Sequence, residues 1–282
     1  LLRKVNNTIN FNFIYEIVEP LYSSVGRPSI DPVVLFKLVF INHFYGYNSM
    51  RRTIEETKVN LAFRWFIGYG IDEKIPHFSD FSKNLERKFL DEIKVINPIT
   101  KQEETTTVFR AVFDNILFQI QAMNYVYPAH IYMDSTHIKA NANKQKIENI
   151  EIVKTSRSYQ EALDKELNSY SEDNDLSKAS ELKEEIVTVK KPLSDPEAGI
   201  FMKGEHERQI AYTAQTICDI NGFILDTEVS PANMHDSTTF YTAYNRVIQT
   251  FGVGGEKGIR SIGLDAGYKT AAIAHRILED KI

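Results

Sequence analysis

The spacing of apolar residues changes along the chain, from a helical period in the first part to a two-residue period in the second. Phe81, Leu85 and Phe89 recur at four-residue spacing, which predicts an amphipathic helix. From residue 130 the sequence HIYMDSTHIK alternates instead, and QIAYTAQTICDINGFILDTEVS alternates on both sides of Asn221-Gly222. These patterns predict a strand and then a hairpin. The chain therefore combines helices and a sheet, in an α+β or α/β fold.

The segment 27–92 predicts three short helices. Asp31-Pro32 is an N-cap followed by proline at the first helical position. Positive charge in the first turn of the helix near NSMRRTIEET opposes the helix dipole, which indicates an external partner. A basic outer face on short helices suits a helix-turn-helix-like reader of duplex DNA, although a solvated helix face explains the same pattern. The basic residues of this face are Arg51, Arg52, Lys83, Arg87 and Lys88.

The remaining pattern predicts a second domain. Residues 104–124 carry an amphipathic helix, so we divide the chain into a helical N-terminal domain, 1–103, and a core, 104–282. Residues 144–190 are rich in Lys, Glu, Ser and Asn. We interpret them as a charged helical insertion between the first and second strands of the core sheet. A helix beginning near Asp236, a short strand and a final helix follow.

Two aspartates lie at the ends of apolar strand-like runs. Asp134 follows Ile131-Tyr132-Met133, and Asp265 follows Ser261-Ile262-Gly263-Leu264. If the first and last strands of the core are adjacent, the two carboxylates lie side by side, within about 4–6 Å. Their repulsion would raise one pKa unless a cation lies between them, and oxygen ligands favour Mg²⁺ or Mn²⁺. A surface position for Asp134 and a turn after Asp265 are the alternatives.

Bulk composition limits the choice of function only loosely. The 282 residues are 43% hydrophobic and 25% charged, which is normal for a soluble globular protein. The net charge of −5 argues weakly against nucleic acid, but Lys and Arg outnumber Asp and Glu over residues 1–110. A single cysteine, Cys218, excludes an internal disulfide and favours a reducing compartment. No run of apolar residues is long enough to span a membrane.

Several segments in order resemble DDE transposases of bacterial insertion sequences, in the branch with a helical N-terminal domain before an RNase H-like core. YMDSTHIKANANK and SIGLDAGYKT are similar to the first and second acidic motifs of that family. GRPSIDPVVLFKLVFINHFYGYNSMRRTIEET and PHFSDFSK resemble its N-terminal domain, and SDPEAG and GFILDTEVSPANMHD resemble core segments. The resemblance covers roughly residues 15–282.

The resemblance implies metal-dependent cleavage and strand transfer of element-end DNA. It implies that Asp134 and Asp265 are metal ligands and that the complete enzyme uses two Mg²⁺ or Mn²⁺ ions. Duplex DNA, comprising terminal repeats and target, is the implied partner, bound by a homodimer in the bacterial cytoplasm at the nucleoid. The family's third acid is a Glu on a later helix; Glu279 follows the Asp265 motif directly and is not assigned that role. We therefore expect a chain truncated before the third motif, with little or no activity.

Alternative functions and secondary residues stay open from sequence. A catalytically inactive DNA-binding remnant is the main alternative. A HAD-like phosphatase ranks low, because that chemistry wants an aspartate two residues after the nucleophile and position 136 is Thr. His235 and Lys139 could line a DNA channel. His137 could contact phosphate, although alternation places it on the opposite face from Asp134. Asp236 could also line the channel, but helix capping explains it equally well.

Overall fold

The protein divides into two compact units, Leu1–Tyr125 and Val126–Ile282. The first is mostly helical and the second contains a mixed sheet, which confirms an α+β architecture. None of the helices in the described part of the chain is long and apolar enough to cross a membrane. The computed structural model describes residues 1–22, 29–143, 146–155, 184–203, 207–234, 236–255 and 258–282.

Short helices and one hairpin make up the first unit. Its helices are α1 (Leu2–Thr8), α2 (Phe13–Val18), α3 (Pro32–Phe44), α4 (Met50–Val59), α5 (Leu61–Ile67), α6 (Phe78–Asn84) and α7 (Val108–Ala122). A single π-helical turn, Leu85–Phe89, extends α6. Strands β1 (Glu92–Ile96) and β2 (Glu103–Thr107) pair antiparallel. The three helices predicted in 27–92 are therefore present, with α5 as an addition.

Polar side chains fix where these helices begin. Asp31 accepts a hydrogen bond of 2.7 Å from the backbone N–H of Val33, as its N-cap position predicts. Ser49 caps α4 by accepting from the N–H of Arg52 at 3.3 Å. Each such cap contributes on the order of 1 kcal/mol. The caps therefore explain why helices this short have defined ends.

Helix α7 packs into the core of the first unit. Val108 and Ala111 are buried in the same apolar cluster as Leu35 and Phe89. The Phe36 ring of α3 lies 5.8 Å from the Phe109 ring. Sequence analysis assigned residues 104–124 to the second domain, whereas their packing joins them to the first unit. An apolar stripe indicates that a helix face is buried, but not against which element.

The second unit is built on a five-stranded sheet with one parallel pair. Strand β7 pairs antiparallel with β3, β6 and β8, and β3 pairs parallel with β9. The predicted hairpin around Asn221-Gly222 is confirmed, and Gly222 has a φ of +82°, which favours glycine. The predicted pairing of the first and last core strands is also confirmed. The strands are β3 (His130–Lys139), β6 (Gly199–Lys203), β7 (Glu207–Asp219), β8 (Ile224–Pro231) and β9 (Ser261–Leu264).

Two helices complete the second unit: α8 (Asp236–Phe251) and α9 (Ala271–Glu279). Phe240, Tyr244 and Val247 recur along one side of α8 and are fully buried. Helix α8 lies against β7 and β8. Strand β3 alternates as predicted, with Ile131 and Met133 buried.

The predicted helical insertion is wrong in its described parts. Strands β4 (Ile147–Thr155) and β5 (Glu184–Pro192) form an antiparallel ribbon at the two ends of the segment. Both sequences are rich in β-branched residues, which favour strands over helices. The leucines of the proposed helices, Leu163, Leu167 and Leu182, lie outside the described residues, and Ile186 lies in β5.

Candidate active site

The parallel pairing of β3 and β9 places Asp134 and Asp265 next to each other. Met133 pairs with Leu264, and each aspartate is the residue that follows. Adjacent strands lie about 4.8 Å apart, so the two backbones hold these residues side by side at the same end of the pair. The expected separation of their carboxylates stays a prediction.

Each aspartate has a local hydrogen bond. Asp134 is exposed, and its Oδ1 accepts from the backbone N–H of Ser135 at 2.7 Å. Asp265 is also exposed, and its Oδ1 accepts from the N–H of Gly267 at 2.9 Å, capping the 3₁₀ turn Ala266–Tyr268. The turn proposed as the alternative explanation for Asp265 is therefore present, and the same turn holds the carboxylate at the strand end.

A glycine in β9 makes room beside the two aspartates. Gly263 pairs with Tyr132, and a Cβ at Gly263 would lie 2.6 Å from Cδ1 of Tyr132. The Tyr132 ring therefore occupies the place of a side chain on β9. Tyr132 is 48% exposed, and Asp134, on the same face of β3, is also exposed. The aspartates thus adjoin an open face of the sheet with an aromatic ring on it.

A third carboxylate, which sequence analysis explained equally well as a helix cap, approaches the same place. Asp236 is the first residue of α8. A Cβ built on Gly267 would lie 3.1 Å from Oδ1 of Asp265 and 3.3 Å from Oδ2 of Asp236. The two carboxylates therefore converge on one point over Gly267. The sequence signal that could have found it is a pair of aspartates, each at the boundary between a strand and a helix.

The hydroxyl of Tyr268 lies close to this acidic group. The ring is buried, and the Ser135 side chain lies within hydrogen-bonding reach of the hydroxyl. Burial raises the pKa of Tyr268, and the charge of Asp236 raises it further; the nearby Ser135 side chain lowers it, whereas Asp265 and Asp134 again raise it. The phenol therefore stays protonated at neutral pH, and its pKa depends on the charges of all three carboxylates.

The chemistry of these side chains fits a hard divalent cation. Carboxylate oxygens are ligands for Mg²⁺ or Mn²⁺ rather than for softer metals. Across the described ranges, no three His, Cys, Asp or Glu side chains already form a metal-binding group. Mg²⁺ commonly binds through one or two carboxylates and keeps several waters, so two adjacent carboxylates are a sufficient protein contribution.

Most residues of the predicted basic face of the first unit are exposed, and some also contact other side chains of the same unit. The Arg51 guanidinium lies over the ring of Phe78, 4.4 Å from its centroid, and so links α4 to α6. Arg52 pairs with Glu56 at 2.5 Å, with 60% of its own side chain exposed. Both arginines therefore have internal partners, contrary to the argument that their position at a helix N-terminus requires an external one.

The other three basic residues lie on α6 and the π-helical turn. Lys83 and Arg87 are exposed. The ammonium of Lys88 lies 3.4 Å from the centroid of the Tyr22 ring, and burial lowers the pKa of Lys88. Arg51, Arg52, Lys83 and Arg87 are therefore exposed, and of these Arg51 also lies over an aromatic ring, which leaves Arg52, Lys83 and Arg87 as the exposed cations without a ring contact among the described residues.

The secondary site residues that the structure describes, His137 and Lys139, lie on the face of β3 opposite Asp134. His137 forms a hydrogen bond of 3.1 Å with Thr213 and lies against the Phe201 ring, in line with the structural role considered for it. Lys139 is exposed and alternates to the same face as His137, away from Asp134. His235 lies outside the described residues.

Comparison with known families gives one match. Residues 1–87 match the model of a family described as "Transposase domain (DUF772)". The match covers the described helices α1 to α6 and ends within the π-helical turn. Searches of curated proteins and of solved structures gave no significant match. The match supports a transposase and gives no support to a HAD-like phosphatase.

Proposed function

We propose that this protein is a DDE-type transposase, in which Asp134 and Asp265 hold a divalent cation for cleavage and strand transfer of element-end DNA. The observation that carries the proposal is the parallel register that ends in these two aspartates. The transposase-domain match over residues 1–87 supports the choice of DNA as substrate.

The strand pairing of the second unit supports the same assignment. In the sheet, β3 pairs antiparallel with β7 and β7 with β8, and α8 then leads along the chain to β9, which pairs parallel with β3. Strand β3 therefore lies between β7 and β9, with Asp134 where its pairing with β9 ends, Asp265 directly after β9 and Asp236 at the start of α8. This order agrees with the core that the sequence motifs imply.

The side chains of the site would position the reacting phosphate. Asp134 and Asp265 would hold Mg²⁺ or Mn²⁺, since their charges repel each other unless a cation lies between them. Such an ion supplies Lewis-acid stabilisation of charge at phosphorus during displacement. Gly267 N–H keeps Asp265 in place, and Ser135 N–H does the same for Asp134.

The first unit would contact duplex DNA through phosphates. Arg52, Lys83 and Arg87 present charge to solvent, and phosphate contacts position a protein on DNA without reading its sequence. Arg51 and Lys88, which lie over aromatic rings, would mainly stabilise the surface that carries the other three.

The test is nicking of supercoiled plasmid DNA by the 282-residue chain in Mn²⁺, with EDTA as the metal-free control. Because no third acid is assigned, we expect Mn²⁺-dependent nicking to be weak. Any such nicking should fall by at least about 10²-fold in Asp134→Asn and in Asp265→Asn, because electrostatic stabilisation of this kind is typically worth that much. Glu279→Gln is the matched control, since Glu279 is an exposed carboxylate in the same unit and should leave nicking unchanged.

Two results would contradict the proposal in different ways. Nicking that persists in both aspartate variants would mean that they are not the catalytic ligands. DNA binding without any Mn²⁺-dependent nicking would favour the alternative of a catalytically inactive DNA-binding protein.

A further inference from the structure

We infer that the outer face of α5 is a surface through which two copies of this chain associate about a twofold axis, without DNA. The α5 surface, as we call it, comprises four exposed apolar residues of the first unit: Val59, Leu61, Trp65 and Ile71. The inference does not depend on the proposed cation site, because every residue that carries it belongs to the helical unit.

Helix α5 has apolar residues on its outer side as well as on its inner side. Phe63, Phe66 and Ile67 are buried in the core of the first unit. Leu61 and Trp65 are four residues apart and therefore lie on one face, where they are 63% and 47% exposed. A helix that is hydrophobic all round is normally buried all round, so the outer face of α5 is suited to contact with another apolar surface.

The one charged residue of α5 is turned inward and gathers the rest of the surface. Arg64 is buried, and its guanidinium donates to the carbonyls of Lys58 at 3.2 Å and of Ile71 at 2.5 Å. These hydrogen bonds hold the end of α4, where Val59 is 78% exposed, and the loop at Ile71, which is 75% exposed, beside α5. The apolar residues are therefore gathered around one helix, and exposed apolar surface that is gathered in this way marks an interaction site more often than single exposed residues do.

The charges at the edges of the α5 surface favour a second copy as the partner. Lys58 adjoins Val59, Asp72 adjoins Ile71, and both charged residues are exposed. A twofold interface sets a surface against its own rotated copy, so a surface with both signs of charge at its edges can be complementary to itself. An apolar centre with a charged rim is also the usual composition of a homodimer interface, whereas a carboxylate beside apolar residues does not suit a phosphate backbone.

Trp65 provides a probe of this surface alone, because it is the only tryptophan of the chain. The experiment combines sedimentation equilibrium of the full 282-residue chain, without DNA or metal, with the emission spectrum of Trp65 over the same range of protein concentrations. We expect a reversible equilibrium between monomer and dimer. The emission of Trp65 should move to shorter wavelength as the dimer forms, because its ring leaves water.

Ile71→Lys places a charge within the α5 surface and keeps the carbonyl to which Arg64 donates. It should weaken dimerisation by at least about 10-fold, because a few residues of an interface carry most of the binding energy. Ile96→Lys is the matched control, since Ile96 is an isoleucine of the same unit, in β1, with 70% exposure. This control should leave dimerisation unchanged, and circular dichroism checks that each variant is folded.

Charge reversal gives a second test, which holds even if Ile71→Lys does not fold. If Lys58 of one copy pairs with Asp72 of the other, Lys58→Glu and Asp72→Lys should each weaken dimerisation by a few-fold, because exposed ion pairs contribute little individually. The double variant restores opposite charges, so it should recover the affinity of the unchanged chain.

The opposite results would overturn the inference. They are a chain that stays monomeric at every concentration, a dimer that forms without a change in Trp65 emission, and a folded Ile71→Lys that dimerises as the unchanged chain does. A double charge variant that dimerises no better than the single variants would overturn the twofold pairing. A shift of Trp65 emission when duplex DNA is added to the monomer would assign the surface to DNA instead. The nicking assay tests the proposed function separately, and neither outcome decides the other.

Discussion

The charged residues of the helical unit and the two site aspartates of the sheet unit differ in what they contact. In the helical unit, several cations lie on aromatic rings or donate to backbone oxygens. Arg64 is buried and donates to the carbonyls of Gly70 and Lys58, at 3.0 and 3.2 Å, as well as to two others. In the sheet unit, Asp134 and Asp265 are exposed, and each accepts a hydrogen bond from the local backbone. Charged groups whose partners lie inside the fold indicate a structural role. Like charges that lie close together on an exposed surface indicate a ligand site.

The same contrast holds among the acids of the sheet unit. Asp219 is buried and accepts from three backbone N–H groups, those of Tyr127, Asn221 and Phe223. Asp226 is buried against the guanidinium of Arg246, with contacts of 2.9 and 3.1 Å. These partners explain why Asp219 and Asp226 are structural. Asp134 and Asp265 differ from them because they are exposed.

The largest effect on stability should come from breaking the buried pair. Arg246→Met removes the guanidinium from the 1%-exposed Asp226 side chain and from Glu228. We expect a loss of about 3 kcal/mol in the free energy of unfolding, at the lower end for broken buried pairs because Arg246 is partly exposed. Urea denaturation of the full chain measures it.

Arg52→Met is the matched control for that prediction. Its pair with Glu56 lies on the surface of α4 with helical spacing, and such pairs contribute about 0.5 kcal/mol or less. A loss for Arg52→Met equal to that for Arg246→Met would contradict the division between internal and exposed charge.

The second prediction concerns DNA binding by the two groups of basic residues. Replacing Arg52, Lys83 and Arg87 together with Ala should weaken binding to duplex DNA by about an order of magnitude or more. It should also lower the slope of log affinity against log salt concentration by the equivalent of about three phosphate contacts. Replacing Arg51 and Lys88 should lower the melting temperature more than the affinity, because these cations lie on Phe78 and Tyr22.

Fluorescence anisotropy at several salt concentrations measures both effects. Equal loss of affinity and of salt dependence in the double and triple variants would show that ring contact does not withdraw Arg51 and Lys88 from DNA. No loss in the triple variant would remove the basis for assigning this face to DNA.

The sequence predicted the parts of the fold that local pattern determines. The caps at Asp31 and the alternation around Asn221-Gly222 act over a few residues, and the structure confirms both. Adjacency of the first and last core strands was a condition taken from the order of the elements, and the parallel pairing of β3 with β9 meets it. That order was sufficient to bring Asp134 beside Asp265.

Features that depend on tertiary contacts were not predictable in the same way. Charged residues in 144–190 suggested helices, but β-branched residues at both ends form the ribbon of β4 and β5. The approach of Asp236 to Asp265 depends on where α8 begins above the turn at Gly267. The spacing of residues within each segment does not determine how close the Asp236 and Asp265 carboxylates come. Helix capping was therefore an equally good explanation of Asp236 from sequence.

A smaller effect is expected on stability when a site acid loses its charge. Asp134→Asn should change the free energy of unfolding by no more than about 0.5 kcal/mol, as for most exposed positions, and relief of repulsion favours a slight gain. Urea denaturation without metal is the measurement. A loss comparable with that of Arg246→Met would mean that Asp134 is a structural acid like Asp226.

The smallest effect separates two tyrosine–aspartate hydrogen bonds, one in each unit. Tyr15 donates to Asp31 at 2.7 Å, and Tyr212 donates to Asp195 at 2.6 Å. The hydrogen bond to Asp31 is the main cause that raises the pKa of Tyr15 to about 12, whereas burial is the main cause for Tyr212, also to about 12. A phenol with a raised pKa contributes its stability fully below its ordinary pKa near 10 and loses it as the pH rises through 12.

Removing the aspartate charge should therefore affect the two phenols unequally. Asp31→Asn keeps a good helix N-cap and should return most of the Tyr15 titration toward its ordinary range. Asp195→Asn should lower the pKa of Tyr212 only in part, because burial remains. Ultraviolet titration of phenolate, with Tyr15→Phe and Tyr212→Phe to identify each contribution, measures both shifts. A larger shift for Tyr212 than for Tyr15 would mean that hydrogen bonding, and not burial, dominates in the sheet unit, which would weaken the contrast between the two units.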